Sequence, residues 1–424
     1  MLRRPSIHEL TRRQRFGLLA VLYFSQGLPF GLFIQALPVI LREQGVSLEG
    51  IGFSALLALP WALKFLWAPW VDGAPMRGRL PRRKGWIVPI QILTAALFFA
   101  VAALGLHDHL AALLAAVFVV NLLNATQDIA TDGLAVDILH IDERGAGNSL
   151  QVGGYRLGMI AGGAGVLLLI ESLGWTAGLL ASALILSASL APLLLVREEA
   201  RWTAPGARQT PVAAMKLMAG FFERRWAYVV LIIAGLWKFG DSFSTGMLRP
   251  LLVDQGYSMG DIGVLLGGVG FTAGLLGAVA GGVLADRLSR LRALIWAAVI
   301  QTLGAVVYLP LVLMNPTHLQ VHALIAVEHF NGGVATVVLF ACMMDWARPR
   351  HSGTDYTLLA SVVVFSTGLA QVLSGISAGQ LGYGGHFILA IILTAAGGAL
   401  SVLFFAVARR MERSLDPKAL GGSS

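Results

Sequence analysis

Apolar segments of about 20 residues or more follow one another along nearly the whole of this 424-residue chain. Runs of that length outlast soluble core helices and match the ~30 Å hydrocarbon layer of a bilayer. Alternation with a period of two is absent, which argues against a β-barrel. Composition agrees: 56% of residues are hydrophobic and 13% charged, with mean hydropathy +0.74; soluble domains carry about 25% charged residues. The 50 glycines suit close helix contacts in lipid. The chain reads as an all-α polytopic membrane protein.

A net charge of +8 and a pI near 10.0 raise the question of nucleic acid. The distribution excludes it. Of 31 Lys and Arg, 26 fall at the two termini and in alternate loops, all on one side. That is the positive-inside pattern, which sets orientation and here places both termini in the cytoplasm. A single cysteine, Cys342, rules out a disulfide framework or a Cys-based zinc site. The basic N-terminus and the apolar run from Phe16 resemble the opening of a signal peptide. The run is too long and lacks a cleavage site, so it is expected to stay as the first span.

Twelve spans fit, near 16–40, 48–70, 86–106, 110–138, 148–171, 175–196, 226–252, 259–285, 291–314, 320–345, 356–382 and 386–408. The expected organisation is a six-helix half over 1–196, a cytoplasmic linker over 197–225, a second half over 226–408 and a tail over 409–424. The halves repeat. LREQGVSLEGIG at 41–52 returns as LVDQGYSMGDIG at 252–263, with Gln44, Gly45, Ser47, Ile51 and Gly52 recurring 211 residues later. Two parallel six-helix repeats are the organisation of the major facilitator superfamily, whose halves rock around a midplane site. Asp72 with Arg82 and Arg83, and Asp286 with Arg287 and Arg290, resemble its loop between spans 2 and 3 of each half. A carboxylate at a helix end and guanidiniums on the facing loop can latch one state; the plain alternative is membrane anchoring.

The stretch 121–165 carries the densest polar signal. Asn121, Asn124, Asp128 and Asp132 recur every three or four residues, on one face of span 4. Gly154, Gly158 and Gly162 make a small-residue face on span 5. Lys64, Asp128, Asp132 and Arg156 fall at comparable depth, where burial is costly without a partner or a role. A carboxylate whose partner changes as the halves rock can take up and release a proton. A static salt-bridge cluster is the competing reading, and Asp137 reads as a helix-end group. In the second half Lys238 and Asp241 are spaced to pair within one helix. Glu328 and His329 can titrate near neutral pH, although adjacent residues point to different faces. Arg42 and Arg249, near the outer face, are expected to snorkel to water. Gln26, Gln35, Asn124, Gln127, Tyr155, Trp237 and His329 are candidates to line a solute cavity. No P-loop, HExxH or GxSxG motif stands out, so no enzyme activity, cofactor or metal is expected.

Longer blocks carry a resemblance. SQGLPFGL (25–32), LPWALKFLWAPWVD (59–72), RRKGWIVPIQ (82–91), TQDIATDGLAVDIL (126–139) and ERGAGNSLQVGGYRLGM (143–159) resemble the family of AmpG muropeptide permeases and acetyl-CoA transporters. WKFGDSF (237–243) and GGVLADR (281–287) extend it more loosely. The resemblance implies proton-driven import of anhydromuropeptides across the inner membrane. It maps the family's charged positions onto Lys64, Asp72, Asp128, Asp132, Arg156, Lys238 and Asp241. The compact length, with EHFNGG (328–333), MMDWARP (343–349) and GTDYT (353–357), is more similar to the RhtX/FptX branch of siderophore importers. The expectation is therefore a monomeric, proton-coupled importer of a siderophore, with a muropeptide permease as the alternative and a drug or metabolite exporter as a further one.

Overall fold

The computed structural model describes residues 5–68, 71, 83–105, 109–140, 143–198, 219–224, 226–314, 316–346 and 352–415. Among these, ten helices are long and apolar enough to cross a membrane, one of them 53 residues long. That one is broken at Gly382, whose φ of 68° no helix accommodates. With a shorter apolar helix at Leu48–Leu63, the described residues form twelve rods. They are α1 (Arg12–Glu43), α2 (Leu48–Leu63), α3 (Lys84–Ala103), α4 (Leu110–Ile138), α5 (144–173) and α6 (Trp175–Leu195). The second set is α7 (Ala227–Asp254), α8 (Met259–Arg287), α9 (Arg290–Leu313), α10 (His318–Trp346), α11 (352–381) and α12 (383–415).

The sequence repeat has a local cause. Gly45 and Gly256 stand just past the ends of α1 and α7 with φ of 77° and 84°, the left-handed cap that favours glycine. Ser47 and Ser258 then start the next helix. Ser47 Oγ accepts from the Gly50 N–H at 3.2 Å and Ser258 Oγ from the Asp261 N–H at 3.1 Å, the N-cap role of serine. The repeat is thus a tight helix–helix corner used twice.

Two compact units result. Unit 1 holds Met1–Gln44, Leu57–Ala214 and Gly256–Val264; unit 2 holds Gly45–Leu56, Met215–Gln255 and Leu265–Ser424. Each therefore takes a first helical segment from the other sequence half. In unit 1, a Cβ on Gly263 of α8 would lie 3.3 Å from Ala164 Cα of α5. In unit 2, one on Gly52 of α2 would lie 2.8 Å from Gly375 Cα of α11.

Small residues set the closest packing, as expected without a strong hydrophobic force between helices in lipid. A Cβ on Gly154 would meet Ala20 O at 2.8 Å, and one on Gly158 would meet Gly27 Cα at 2.9 Å. The predicted face of α5 thus lies directly on the α1 backbone. In unit 2, Gly277 and Gly281 of α8 meet Phe330 and Val334 of α10 in the same way. Around these contacts unit 1 buries Leu19, Leu22, Ile87, Leu134 and Leu193, and unit 2 buries Ile233, Trp237, Leu294, Val338 and Leu339. Single π turns interrupt α1 at Leu32–Ala36, α5 at Ala161–Gly165 and α8 at Leu265–Gly270; such bulges frequently mark functional segments. α2 is irregular too, passing through a 3₁₀ stretch at Ala55–Ala58, around Pro60, and into another at Lys64–Leu66.

Candidate transport site

In unit 1 the polar residues of α4 face α1 and α2. Asp128, 7% exposed, forms an ion pair with Lys64. One turn earlier along α4 Asn124 is buried, and another turn on Asn121 accepts from the indole N–H of Trp61 at 3.0 Å. In the other direction Asp132 accepts from Tyr23 Oη at 2.9 Å and from the Gln151 amide at 3.2 Å. Aromatic rings gather beside the ion pair. Phe30 meets Trp61 edge-on with centroids 5.1 Å apart and Tyr155 at 5.7 Å, and Lys64 Nζ lies 5.3 Å from the Trp61 centroid. Gln26 is fully buried, and neither its amide nitrogen nor its oxygen has a partner among the described residues. A buried amide left this way costs about 1–3 kcal/mol unless something else binds it.

Other candidates of the first half fall differently. Gln127 donates to Gln91 at 2.9 Å, and Gln91 donates to Ser189 at 2.7 Å and to Leu186 O at 2.9 Å. Gln127 is thus committed to a buried chain joining α4, α3 and α6. Gln35 is half-buried and lies against Gly163. Arg156 is half-buried and makes no ion pair among the described residues. The four-membered charge group expected at this depth is one ion pair, one hydroxyl-bound carboxylate and one uncommitted guanidinium.

Unit 2 carries a second polar cluster. Lys238 pairs with Asp241 one turn along α7, and its Nζ also donates to Thr336 of α10 at 3.3 Å. Glu328 is buried, with its Oε2 2.5 Å from His329 Nδ1. The adjacent pair therefore does touch, because the imidazole folds back along the helix to 3.2 Å from Ile325 O. Arg249 and Tyr308 interact electrostatically with Glu328. Arg249 is half-buried, and its Nε has no hydrogen-bond partner among the described residues. Asp241, Tyr308, Glu328 and Asn331 surround a cavity of about 10 Å³, the size at which a single water fits. Trp237 is a correction. It is fully buried in the unit 2 core and donates to Ala335 O at 3.0 Å, so it has no ring face to offer a solute.

The profile of the Major Facilitator Superfamily matches residues 19–327 and 239–423. The Anhydromuropeptide permease of Escherichia coli K12 is 30% identical over 359 residues, covering 83% of this chain and 72% of that protein. The chain belongs to the AmpG family of the major facilitator superfamily. A Rickettsia felis protein named as transporter AmpG 4 is 26% identical over 91% of this chain and 94% of its own length. The fold of this AmpG-family chain also matches a bacterial homolog of the human lysosomal transporter Spinster, with TM-score 0.69 at 14% identity over 95% of this chain and 98% of that one. The nucleoside transporter NupG gives the same score at 12% identity, over 92% and 98%. The protein is a multi-pass membrane transporter. These relatives favour the alternative reading, and nothing in them supports the siderophore expectation, which rested on compact length and the blocks EHFNGG, MMDWARP and GTDYT.

The family's paired basic loops are partly visible. Asp72 and Arg82 lie outside the described residues. Arg83 donates to Asp137 at 2.9 Å, and its guanidinium covers Gly133. In unit 2 Arg290 holds Asp345 at 2.5 and 3.4 Å and Ala285 O at 2.5 Å. Asp286 and Arg287 are exposed and form no ion pair among the described residues. The repeated bond thus ties the start of the third helix to the end of the fourth in each half. Its acids are Asp137 and Asp345 and not the expected Asp286, because the turn directs that carboxylate to water. Tyr23, Gln91, Gln151 and Tyr308 join the clusters without having been singled out. Only Tyr23 had a signal, standing three residues before Gln26 on one face of α1.

Proposed function

We propose that this chain is a proton-coupled inner-membrane importer of a solute of the anhydromuropeptide class. The observation that carries the reading is the Lys64–Asp128 ion pair, held inside a membrane-spanning bundle beside Phe30, Trp61 and Tyr155. Aromatic faces suit the apolar side of a sugar ring, while amides and charges suit its hydroxyls and the peptide carboxylates. Arg156 is the cation left to meet such a carboxylate. The printed name of the Escherichia coli relative supports the same solute class.

The second cluster suits the proton. Asp241 and Glu328 line a cavity that admits one water, and His329, Arg249 and Lys238 supply cations whose positions decide which carboxylate holds the charge. The uneven distribution of Lys and Arg supports cytoplasmic termini, and the working unit is taken as a monomer. The test is uptake of a labelled anhydromuropeptide by proteoliposomes under an imposed pH gradient. Gradient-dependent accumulation is expected, abolished by Asp128→Asn and Arg156→Ala and uncoupled from the gradient by Glu328→Gln. Accumulation of a ferri-siderophore instead, or wild-type uptake by the Asp128 and Arg156 variants, would overturn the proposal.

A further inference from the structure

Unit 2 has a cavity of about 210 Å³ away from its titratable cluster. It opens where α7 and α9 begin and α10 and α12 near their ends, so two N-terminal and two C-terminal helix ends meet there. Arg290, Asp345 and Arg409 supply its charges, and Trp226, Trp346 and Phe405 its aromatic wall. Asp345 is committed to Arg290 through two contacts, so these two largely cancel. Arg409 has no ion pair among the described residues; its guanidinium lies 5.4 Å from the Phe405 centroid. The uncompensated charge in the cavity is therefore positive.

The walls are held in place. Arg224 stacks on Trp226 at 3.7 Å and donates to Trp346 O at 2.7 Å, fixing one indole and the backbone carrying the other. Tryptophans at a helix-bundle end mark the headgroup level of a bilayer. A guanidinium there binds phosphate oxygens through directional, charge-assisted hydrogen bonds.

We propose that this cavity binds the phosphate of an anionic membrane phospholipid, with Arg409 as its principal contact and Trp226 and Trp346 flanking the glycerol. The site is independent of the transported solute. Occupancy would draw Arg290 partly away from Asp345, linking the leaflet's lipid composition to the bond between α9 and α10.

Native mass spectrometry of the purified full-length protein tests this, with phosphatidylglycerol, phosphatidylcholine and free glycerol 3-phosphate as probes. Wild-type protein should retain phosphatidylglycerol and hold the other two far more weakly. Arg409→Gln should weaken retention about tenfold and Arg409→Lys less, since a point charge keeps the attraction without the fork geometry. Ala408→Trp, which fills the cavity and keeps every charge, should weaken it as well. Lipid is counted per folded monomer, so a loss of yield does not imitate a loss of binding. Equal retention by wild type, Arg409→Gln and Ala408→Trp would overturn the site. Glycerol 3-phosphate binding as tightly as the lipid would overturn the membrane as its source.

Discussion

Replacing one partner of the Lys64–Asp128 pair should have unequal consequences. In Lys64→Met, Asp128 stays 7% exposed without its only ion-pair partner among the described residues. Removing one partner of a buried pair costs about 3–5 kcal/mol. The Lys64 side chain is 29% exposed, so water screens part of the interaction and the lower end, about 3 kcal/mol, applies. In Asp128→Asn the ammonium keeps the field of Asp132 and the Trp61 ring face at 5.3 Å. A cation–π contact contributes about 1 kcal/mol in part-desolvated settings, so this variant should lose only about 1–2 kcal/mol. Lys64→Met/Asp128→Asn removes both charges and should lie within about 1 kcal/mol of wild type. The four proteins form a double-mutant cycle, read by unfolding in mixed detergent micelles with tryptophan fluorescence. A Lys64→Met protein no less stable than Asp128→Asn, or a double variant showing the sum of the single losses, would refute the argument.

Three further outcomes follow from the same geometry. Gly158→Val drives a side chain into the α1 backbone and should cost about 1–3 kcal/mol or more, whereas Gly153→Ala, with nothing within 4 Å, should be neutral or stabilising by about 0.5–1 kcal/mol; both are read by micelle unfolding. Arg83→Ala strands Asp137, whose side chain is 17% exposed, and should cost about 3 kcal/mol. Its counterpart Arg290→Ala leaves Asp345 at 47% exposure and should cost under about 1 kcal/mol, so equal thermal shifts would contradict the assignment. Glu143, outside the spans, accepts from Arg15 at 2.6 Å, which holds its carboxyl below the ordinary value. A depressed folded pKa gives stability that is present above the unfolded value of about 4.3 and lost as pH falls through the folded one. Wild-type melting should therefore drop more steeply than that of Glu143→Gln below about pH 4, and parallel profiles would remove the bond from the account.

Much of the molecule was legible in its amino acids because the information is local. Twelve apolar runs, the Gly–x–Ser corner used twice, the Gly154–Gly158–Gly162 face and the Lys238–Asp241 pair depend only on composition, helical period and near-neighbour spacing. An i,i+3 pair meets whatever the rest of the chain does. Lys64 and Asp128 stand 64 residues apart, yet equal depth in neighbouring spans sufficed to suggest them.

Tertiary structure decided what depends on how each helix is rotated about its axis and how closely it crosses its neighbours. That is why Arg83 and Arg290 found Asp137 and Asp345, and why Trp237 went to the core. A few tens of degrees of rotation, or the extra residue of a π turn such as Leu32–Ala36, moves a side chain from one neighbour to the next. Spacing along one helix carries no record of that angle. The partners of a buried charge are set by the packed bundle, and the sequence alone can say only that such a charge needs one.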